Sequence, residues 1–292
     1  MKRTDFLKKA LLGLGSLGAL GVGKAVSKTA KPATATNANQ VGFEHIPHNN
    51  IAMNNTVFHK ADTRGDANHG WLHSKHTFSF ANYYNPDRVH FGALRVLNDD
   101  IVQGGMGFGT HPHDNMEIIS IPLKGDLEHK DSTGRHKVIR QNDVQIMSAG
   151  SGIRHSEYNY NKDKDVNFLQ IWVFPKERNI EPRYEQKTFL STDRTNQLAT
   201  VVAPDDNNAV WINQDAWFSL GTFKKGHEVT YDVRKQGNGV YVFVIDGKVA
   251  INGNALQQRD GFGVWDTDKL SITASDDAEV LLMDIPMNVK LG

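Results

Sequence analysis

Four residues of this chain have the types and the spacing needed to bind a metal ion: His111, His113, His155 and Glu157. They form two pairs whose members are two positions apart, so in a β-strand both side chains of a pair point to the same face. Two such pairs on neighbouring strands can converge on one ion inside a barrel. Imidazole nitrogens and one carboxylate hold a divalent ion and leave positions open for substrate and for dioxygen or water.

Either pair alone has a simpler explanation. An isolated His-x-His or His-x-Glu on a strand is more often solvated or hydrogen-bonded than bound to a metal. Both pairs follow glycines, which let the backbone bend close to a site: Gly104, Gly105, Gly107 and Gly109 before the first, and Gly150 and Gly152 before the second. The two pairs together therefore predict a metal site.

The remaining histidines of this region lack such a neighbour. For most of them we predict an ordinary solvated or hydrogen-bonded imidazole. They are His69, His73, His76, His90, His129 and His136.

The composition narrows the metal chemistry and excludes several functions. No cysteine is present, which excludes disulfides, thiolate zinc sites and cysteine nucleophiles. Imidazole and carboxylate ligands suit iron, manganese, nickel, copper or zinc. The 33 lysines and arginines balance the 33 aspartates and glutamates, so the chain has no overall field that would attract nucleic acid. We therefore predict no nucleic-acid partner.

Short apolar segments separated by glycine, asparagine and aspartate predict an all-β protein. The segments are rich in β-branched and aromatic residues, and no stretch after the N-terminal region has a sustained helical period. The predicted strands are Phe91 to Val96, Glu117 to Leu123, Val144 to Met147, Phe168 to Phe174, Val240 to Ile245 and Val280 to Ile285.

Two parts of the chain resemble each other, which predicts two copies of one β-barrel domain. Residues 121–127 and 141–147 match residues 244–249 and 258–265. The second-copy equivalents of the four candidate ligands are Val233, Lys235, Ile272 and Ala274. Because none of these replaces an imidazole or a carboxylate, we predict that the second copy binds no metal.

The N-terminal residues predict export. Lys2, Arg3, Lys8 and Lys9 precede a short Leu-, Gly- and Ala-rich run, and residues 33–35 offer a small-residue cleavage site. The run is too short and too glycine-rich for a stable membrane span. Residues 3–8 resemble a twin-arginine signal with Thr4 in place of the second arginine, so the twin-arginine and Sec routes both stay open. We predict a periplasmic protein, with a disordered tail on a cytoplasmic protein as the alternative.

The motifs around the candidate ligands resemble those of a known family. Gly105-x5-His111-x-His113-x3-Glu117, followed by Gly125, looks like the first cupin motif. Together with residues 148–157, this stretch is similar to the pirin family in particular. Residues 76–84, 94–100 and 182–184 also fit that family, and residues 211–215 and 261–267 resemble its bacterial quercetinase branch. The resemblance extends from about Thr56 to Met287.

This resemblance implies a bicupin, in which two double-stranded β-helix (jelly-roll) barrels follow each other. With the N-terminal segments read from the residues themselves, the predicted parts of the chain are an export signal over 1–35, a linker over 36–50, a metal-binding cupin over 51–175, a connecting segment over 176–204 and a metal-free cupin over 205–292. One divalent ion is implied, usually iron(II), with Ni, Cu, Mn, Co or Zn as alternatives, bound by His111, His113, His155 and Glu157. Glu117 aligns with a carboxylate that binds the metal in many cupins; here it is expected to support the ligands without binding the ion.

The resemblance also implies an activity. The leading hypothesis is a metal-dependent dioxygenase that cleaves a flavonol such as quercetin with O2, with Glu157 taking the proton of the substrate hydroxyl. The partners are then a small aromatic substrate and O2, and we expect a monomer. The alternatives are a non-catalytic pirin-type metal- or ligand-binding protein and a cupin oxygenase for another phenolic or enol substrate. Five apolar side chains are either pocket lining or ordinary core: Phe80, Met106, Phe108, Met147 and Phe168.

Overall fold

The computed structural model describes residues 55–289, which form two β-sandwiches, each with a seven-stranded and a four-stranded sheet. Strands are numbered in chain order, and two short 3-10 helices cover Ala61–Thr63 and Ser191–Arg194. Within this range no helix is long and apolar enough to cross a bilayer. The predicted export signal and linker lie outside the described residues.

The first sandwich contains eleven strands. Its seven-stranded sheet has the order β12-β9-β6-β11-β4-β3-β2, and its four-stranded sheet has the order β5-β10-β7-β8. The bounds are β2 Gly65–Asn68, β3 Leu72–His76, β4 Leu94–Val102, β5 Gly107–His113, β6 Glu117–Lys124, β7 Leu127–Asp131, β8 His136–Ile139, β9 Asp143–Ser148, β10 Ile153–Asn159, β11 Val166–Val173 and β12 Arg183–Thr188.

The second sandwich repeats this arrangement. Its sheets have the orders β1-β20-β17-β22-β15-β13-β14 and β16-β21-β18-β19. The bounds are β1 Asn55–His59, β13 Leu198–Ala203, β14 Val210–Trp211, β15 Trp217–Phe223, β16 Glu228–Asp232, β17 Asn238–Asp246, β18 Lys248–Ile251, β19 Asn254–Gln257, β20 Gly261–Trp265, β21 Lys269–Ala274 and β22 Ala278–Pro286. The predicted all-β fold with two jelly-roll barrels is confirmed.

Two edge strands cross the predicted domain boundaries. β1 precedes the first sandwich in the chain but pairs with β20 of the second. β12 falls in the predicted connecting segment but pairs with β9 of the first sandwich. An exposed sheet edge is open to unwanted pairing, and each of these strands covers such an edge. Sheet membership is therefore set by the available edge and not by position along the chain.

All six predicted strand segments contain a strand. The difference in bounds is largest for the first segment, because β4 begins only at Leu94 and continues to Val102. Phe91 and Leu94 instead close a tight turn with reciprocal backbone hydrogen bonds of 2.9 Å. Gly92 inside this turn has φ +50°, a left-handed conformation that favours glycine.

The largest apolar cluster joins the two sandwiches. Alternate residues of the seven-stranded sheets contribute to it, including Ile119 and Ile121 from β6 and Tyr241 and Phe243 from β17. The residues between them on β17, Val240, Val242 and Val244, belong to a separate cluster that fills the second sandwich. Strand alternation therefore gives each seven-stranded sheet two buried faces.

The first sandwich is filled differently. Its interior holds two smaller apolar clusters, one around Phe168 and Leu127 and the other around Met147 and Trp172. Buried polar residues of β5, β6, β7 and β10 complete this interior. Because a buried polar group costs free energy unless it has a partner, such an interior points to a function.

Candidate metal centre

The pairing of β5 with β10 brings the three predicted histidine ligands together. The two strands are antiparallel, with Ile153 opposite His113 and His155 opposite His111. His111 and His155 are thus direct cross-strand neighbours, and His113 lies two residues along the same face. All three side chains point inward and are at least 93% buried.

The imidazoles form a compact group. The ring centroid of His155 is 4.4 Å from that of His111 and 4.9 Å from that of His113, and His111 and His113 are 4.8 Å apart. One ring nitrogen from each histidine lies within 4.8 Å of the other two. This is the spacing at which three imidazoles can face one ion.

The protonation states favour metal binding. Burial lowers the pKa of all three histidines, that of His113 to about 3. They are therefore neutral at physiological pH, and no proton competes with a metal for their lone pairs. His111 Nδ1–H donates to Gly109 O at 2.8 Å, which leaves Nε2 as its free acceptor. Both nitrogens of His155 are buried without a partner among the described residues. The donor set fits a divalent ion.

Glu157 lies two residues beyond His155, on the same face of β10. The strand register shifts between these residues, so Glu157 faces Phe108 instead of Gly109. Its carboxylate accepts hydrogen bonds from Ser120 Oγ at 2.9 Å and Gln170 Nε2 at 2.6 Å. Burial raises the pKa of Glu157 to about 7. A cation beside the carboxylate would lower this pKa again.

Gly107 explains how β5 approaches β10 so closely. A Cβ at this position would lie 2.3 Å from the carbonyl oxygen of Glu157 and 2.5 Å from Tyr158 Cα. Any larger residue would push the two strands apart at the site. Gly104 is similarly confined, but by the backbone of Lys162 and not by β10.

A cavity of about 390 Å³, including its open mouth, reaches the histidine cluster. One part of its wall is apolar and aromatic, from Phe80, Phe108, Ile118 and Trp172. Another part is polar, from Asn98, Asp100, Gln170 and Glu157. The predicted lining residues thus divide: Phe80 and Phe108 line the cavity, whereas Met106, Met147 and Phe168 belong to the apolar clusters beside it.

Glu117 does not join this group. Glu117 and Ser120 are on opposite faces of β6, and Glu117 points toward the other sandwich. Its Oε2 accepts hydrogen bonds from Ser148 Oγ at 2.8 Å and from the backbone N–H of Asn213 at 3.1 Å. The contacts of Glu117 therefore link the two sandwiches, and they are not the support of the ligands that the family pattern suggested.

The position of Glu117 predicts a pH effect on stability. Burial raises the pKa of this carboxyl from 4.5 to about 7, although Ser148, the Asn213 N–H and the Arg183 cation oppose the shift. Between these two pH values the folded protein binds more protons than the unfolded chain, so the free energy of unfolding falls as pH rises. The Glu117→Gln variant has no carboxyl to ionise in the folded protein and so avoids this loss of stability. At pH 8 it should be more stable than the wild type by up to about 3 kcal/mol.

Urea unfolding of the metal-free wild type and variant at pH 4.5 and pH 8 measures this difference. The gain should be largest at pH 8 and shrink toward pH 4.5. An equal difference at both pH values would show that Glu117 does not titrate in this window.

Sequence reasoning missed His129. This residue is fully buried on β7, and its ring is 5.3 Å from that of His155. One nitrogen of His129, one of His155 and a carboxylate oxygen of Glu157 lie within 4.8 Å of one another. The sequence signal that could have revealed it was the pair His129 and Asp131, which is spaced like the two ligand pairs.

Three other histidines have ordinary hydrogen bonds, as the sequence predicted for most of them: His73 to Asp66, His90 to Gly92 O and His136 to Glu128.

The second sandwich has an apolar interior. Ile272 and Ala274 are buried in its core, and Val233 packs against it. Lys235 instead forms an ion pair with Asp215. Among residues 55–289, groups of three His, Asp or Glu close enough to share an ion occur only in the first sandwich.

Comparison with known proteins agrees with this architecture. Residues 57–173 match the family model Pirin, and residues 200–285 match the model described as quercetinase C-terminal cupin domain. The chain is 45% identical over 232 residues to a protein of Escherichia coli named quercetin 2,3-dioxygenase, covering 78% of this chain and 97% of that protein. It is 42% identical over 225 residues to a pirin-like protein of Caulobacter vibrioides, covering 76% and 96%.

A solved structure shows the same fold. It is the bacterial pirin YhhW from Escherichia coli in complex with nickel(II), with a TM-score of 0.75 and 43% identity. The match covers 79% of this chain and 99% of that one.

Proposed function

This chain belongs to the pirin family, and on that basis we propose that it is a metal-dependent dioxygenase that cleaves a flavonol such as quercetin with O2. The observation that carries the proposal is the cluster of three buried, neutral imidazoles, which lines a partly aromatic cavity together with the carboxylate of Glu157. The names of the relatives and the nickel in the similar structure support it.

We assign His111, His113, His155 and Glu157 as the ligands of one divalent ion. The three histidines already face one another, whereas Glu157 is held by Ser120 and Gln170. Glu157 groups with His155 and not with His111 or His113. Binding would therefore require the carboxylate to move toward the ion. We propose iron(II) as the resident metal, since imidazole and carboxylate ligands suit it, although availability also decides.

A bound ion would supply Lewis-acid polarisation of the flavonol hydroxyl and an open position for dioxygen. The protein contributes the proton acceptor. The amide of Gln170 and the hydroxyl of Ser120 hold Glu157 Oε2 and Oε1 at the wall of the cavity. If one oxygen moved to the ion, the other would still face the cavity. It can take the hydroxyl proton and hold it while the ring is cleaved.

The cavity walls fit a flat, partly polar ligand. Phe80 and Trp172 form an edge-to-face pair with ring centroids 5.4 Å apart, and His113 packs edge-on against Trp172 at 4.9 Å. The polar part of the wall includes Asn98 Oδ1, which is buried without a partner among the described residues. A buried unpaired acceptor is costly unless a ligand or water completes it. An aromatic substrate with hydroxyl groups would contact both the aromatic and the polar parts of the wall.

The proposal is tested by purifying the protein without oxygen, loading it with iron(II) and adding a flavonol and O2. Loss of the flavonol absorbance, with release of carbon monoxide, is the expected result, and the metal-free protein should show neither. A protein that binds one metal per chain but leaves flavonols intact with every metal tried would contradict the proposed activity. It would then be a metal- or ligand-binding protein or an oxygenase for another substrate.

A further inference from the structure

Strand β7 places a second pair of polar residues directly beside the predicted ligands. In the pairing of β7 with β10, His129 lies opposite Glu157, and Asp131 lies opposite His155. His129 is completely buried, and the side chain of Asp131 is shielded from solvent. A polar pair buried against a metal site is retained only if its groups find partners.

Asp131 fixes the orientation of the His129 ring. His129 Nε2 lies 3.1 Å from Asp131 Oδ2. The other oxygen of Asp131 accepts hydrogen bonds from the backbone N–H of Thr133 at 2.9 Å and from its hydroxyl at 2.5 Å. These bonds help keep the pKa of Asp131 below its usual value despite burial, so this carboxylate is an acceptor.

The tautomer of His129 follows from this contact. Because Asp131 accepts, Nε2 of His129 carries the hydrogen. In the neutral ring, Nδ1 then has a free lone pair. That Nδ1 is buried and has no partner among the described residues.

His155 needs a hydrogen-bond acceptor for one of its ring nitrogens if the other binds a metal. A histidine that binds a metal through one nitrogen carries N–H on the other, and that N–H normally donates to a carboxylate, a carbonyl or water. His111 has this partner in Gly109 O. His155 has none: neither of its nitrogens is hydrogen-bonded within the described structure. The ring beside it that offers an acceptor is His129, at a centroid distance of 5.3 Å.

We propose that His129 is a positioning residue that accepts the N–H of His155 through Nδ1, so that Asp131, His129 and His155 form a chain behind the ion. The inference rests on the metal site of the proposed function but not on flavonol cleavage. His129 groups with His155 and Glu157 and not with His111 and His113. This position, across His155 from the other two histidines, suits a partner of the ligand better than a fourth imidazole ligand.

Two variants separate the two nitrogens of His129. In His129→Asn the side-chain oxygen takes the place of Nδ1 and keeps the acceptor, with the link to Asp131 lost. His129→Gln can still reach Asp131 but lacks an acceptor at the Nδ1 position. His136→Gln is the matched control, because His136 lies on the neighbouring strand β8 and is exposed.

The full-length protein is loaded with cobalt(II), whose dissociation constant is measured by chelator competition. The paramagnetically shifted, exchangeable N–H signals of the ligating imidazoles are recorded by NMR. We expect His129→Gln to weaken cobalt binding by about 10–100-fold, the range measured for partners of metal ligands. One shifted N–H signal should also be lost to exchange with water. The dissociation constant and the N–H signals of His129→Asn should be closer to those of the wild type than those of His129→Gln. His136→Gln should match the wild type in both measurements.

Two results would overturn the proposal. In the first, His129→Gln keeps the wild-type dissociation constant and every shifted N–H signal. In the second, both variants lose the complete set of ring signals of one imidazole, which would make His129 a ligand. Neither result depends on activity, so a protein inactive on flavonols would still answer the question.

Discussion

Replacing His111 by alanine should release the metal and abolish flavonol cleavage together. His111 is one of three imidazoles grouped within 4.8 Å, and its Nε2 is left free by the bond of Nδ1 to Gly109. Loss of a partner behind a ligand already costs about 10–100-fold in metal affinity or activity, so loss of a ligand should cost more than 100-fold. Metal content after dialysis and the rate of flavonol loss measure the two effects.

His73→Ala is the control for this change, because His73 is an exposed histidine bonded to Asp66 on the surface of the same sandwich. It should keep both metal and activity. Full metal occupancy in His111→Ala would show that the ligand assignment is wrong. Metal loss with unchanged activity would show instead that the reaction does not need the ion.

Glu157→Gln should reduce turnover more than any other change that preserves the shape of the site. Glutamine has the size of glutamate and can still accept the hydrogen bond from Ser120, but it cannot take a proton from the substrate. Loss of a positioned general base typically lowers kcat by about 10²–10⁴-fold. Turnover should be measured at saturating iron(II), because an amide is also a weaker ligand than a carboxylate.

Glu117→Gln provides the matched control for Glu157→Gln. It makes the same chemical change at a buried carboxylate whose hydrogen bonds go to Ser148 and Asn213. Activity at neutral pH should be unchanged in this variant. Equal losses in the two variants would mean that the effect is structural and that Glu157 has no role as a base.

The sequence was most informative where strand alternation decides the outcome. The spacing of His111 with His113, and of His155 with Glu157, placed each pair on one face, and the structure shows both pairs pointing inward. The repeat likewise predicted two similar barrels, because the same turns and strands recur at the same intervals. These features depend on residues that are close in the chain.

Other features depend on which strands become neighbours, and local patterns do not reveal this. His129 reaches the site because β7 pairs with β10, and the register places it opposite Glu157. Glu117 has the right spacing in the cupin motif, yet it lies on the face of β6 that meets the second sandwich. The edge strands β1 and β12 were also missed as such, since an edge is filled by whichever segment reaches it.

The proposed site places one ion among His111, His113, His155 and Glu157. Anomalous diffraction from crystals of the iron(II)-loaded protein, collected at the iron absorption edge, tests it most directly. We predict one peak per chain, bounded by these four side chains, with His129 behind His155 and outside bonding distance. A peak held by His129, His155 and Glu157 without His111 and His113, or a second peak in the other sandwich, would contradict this account.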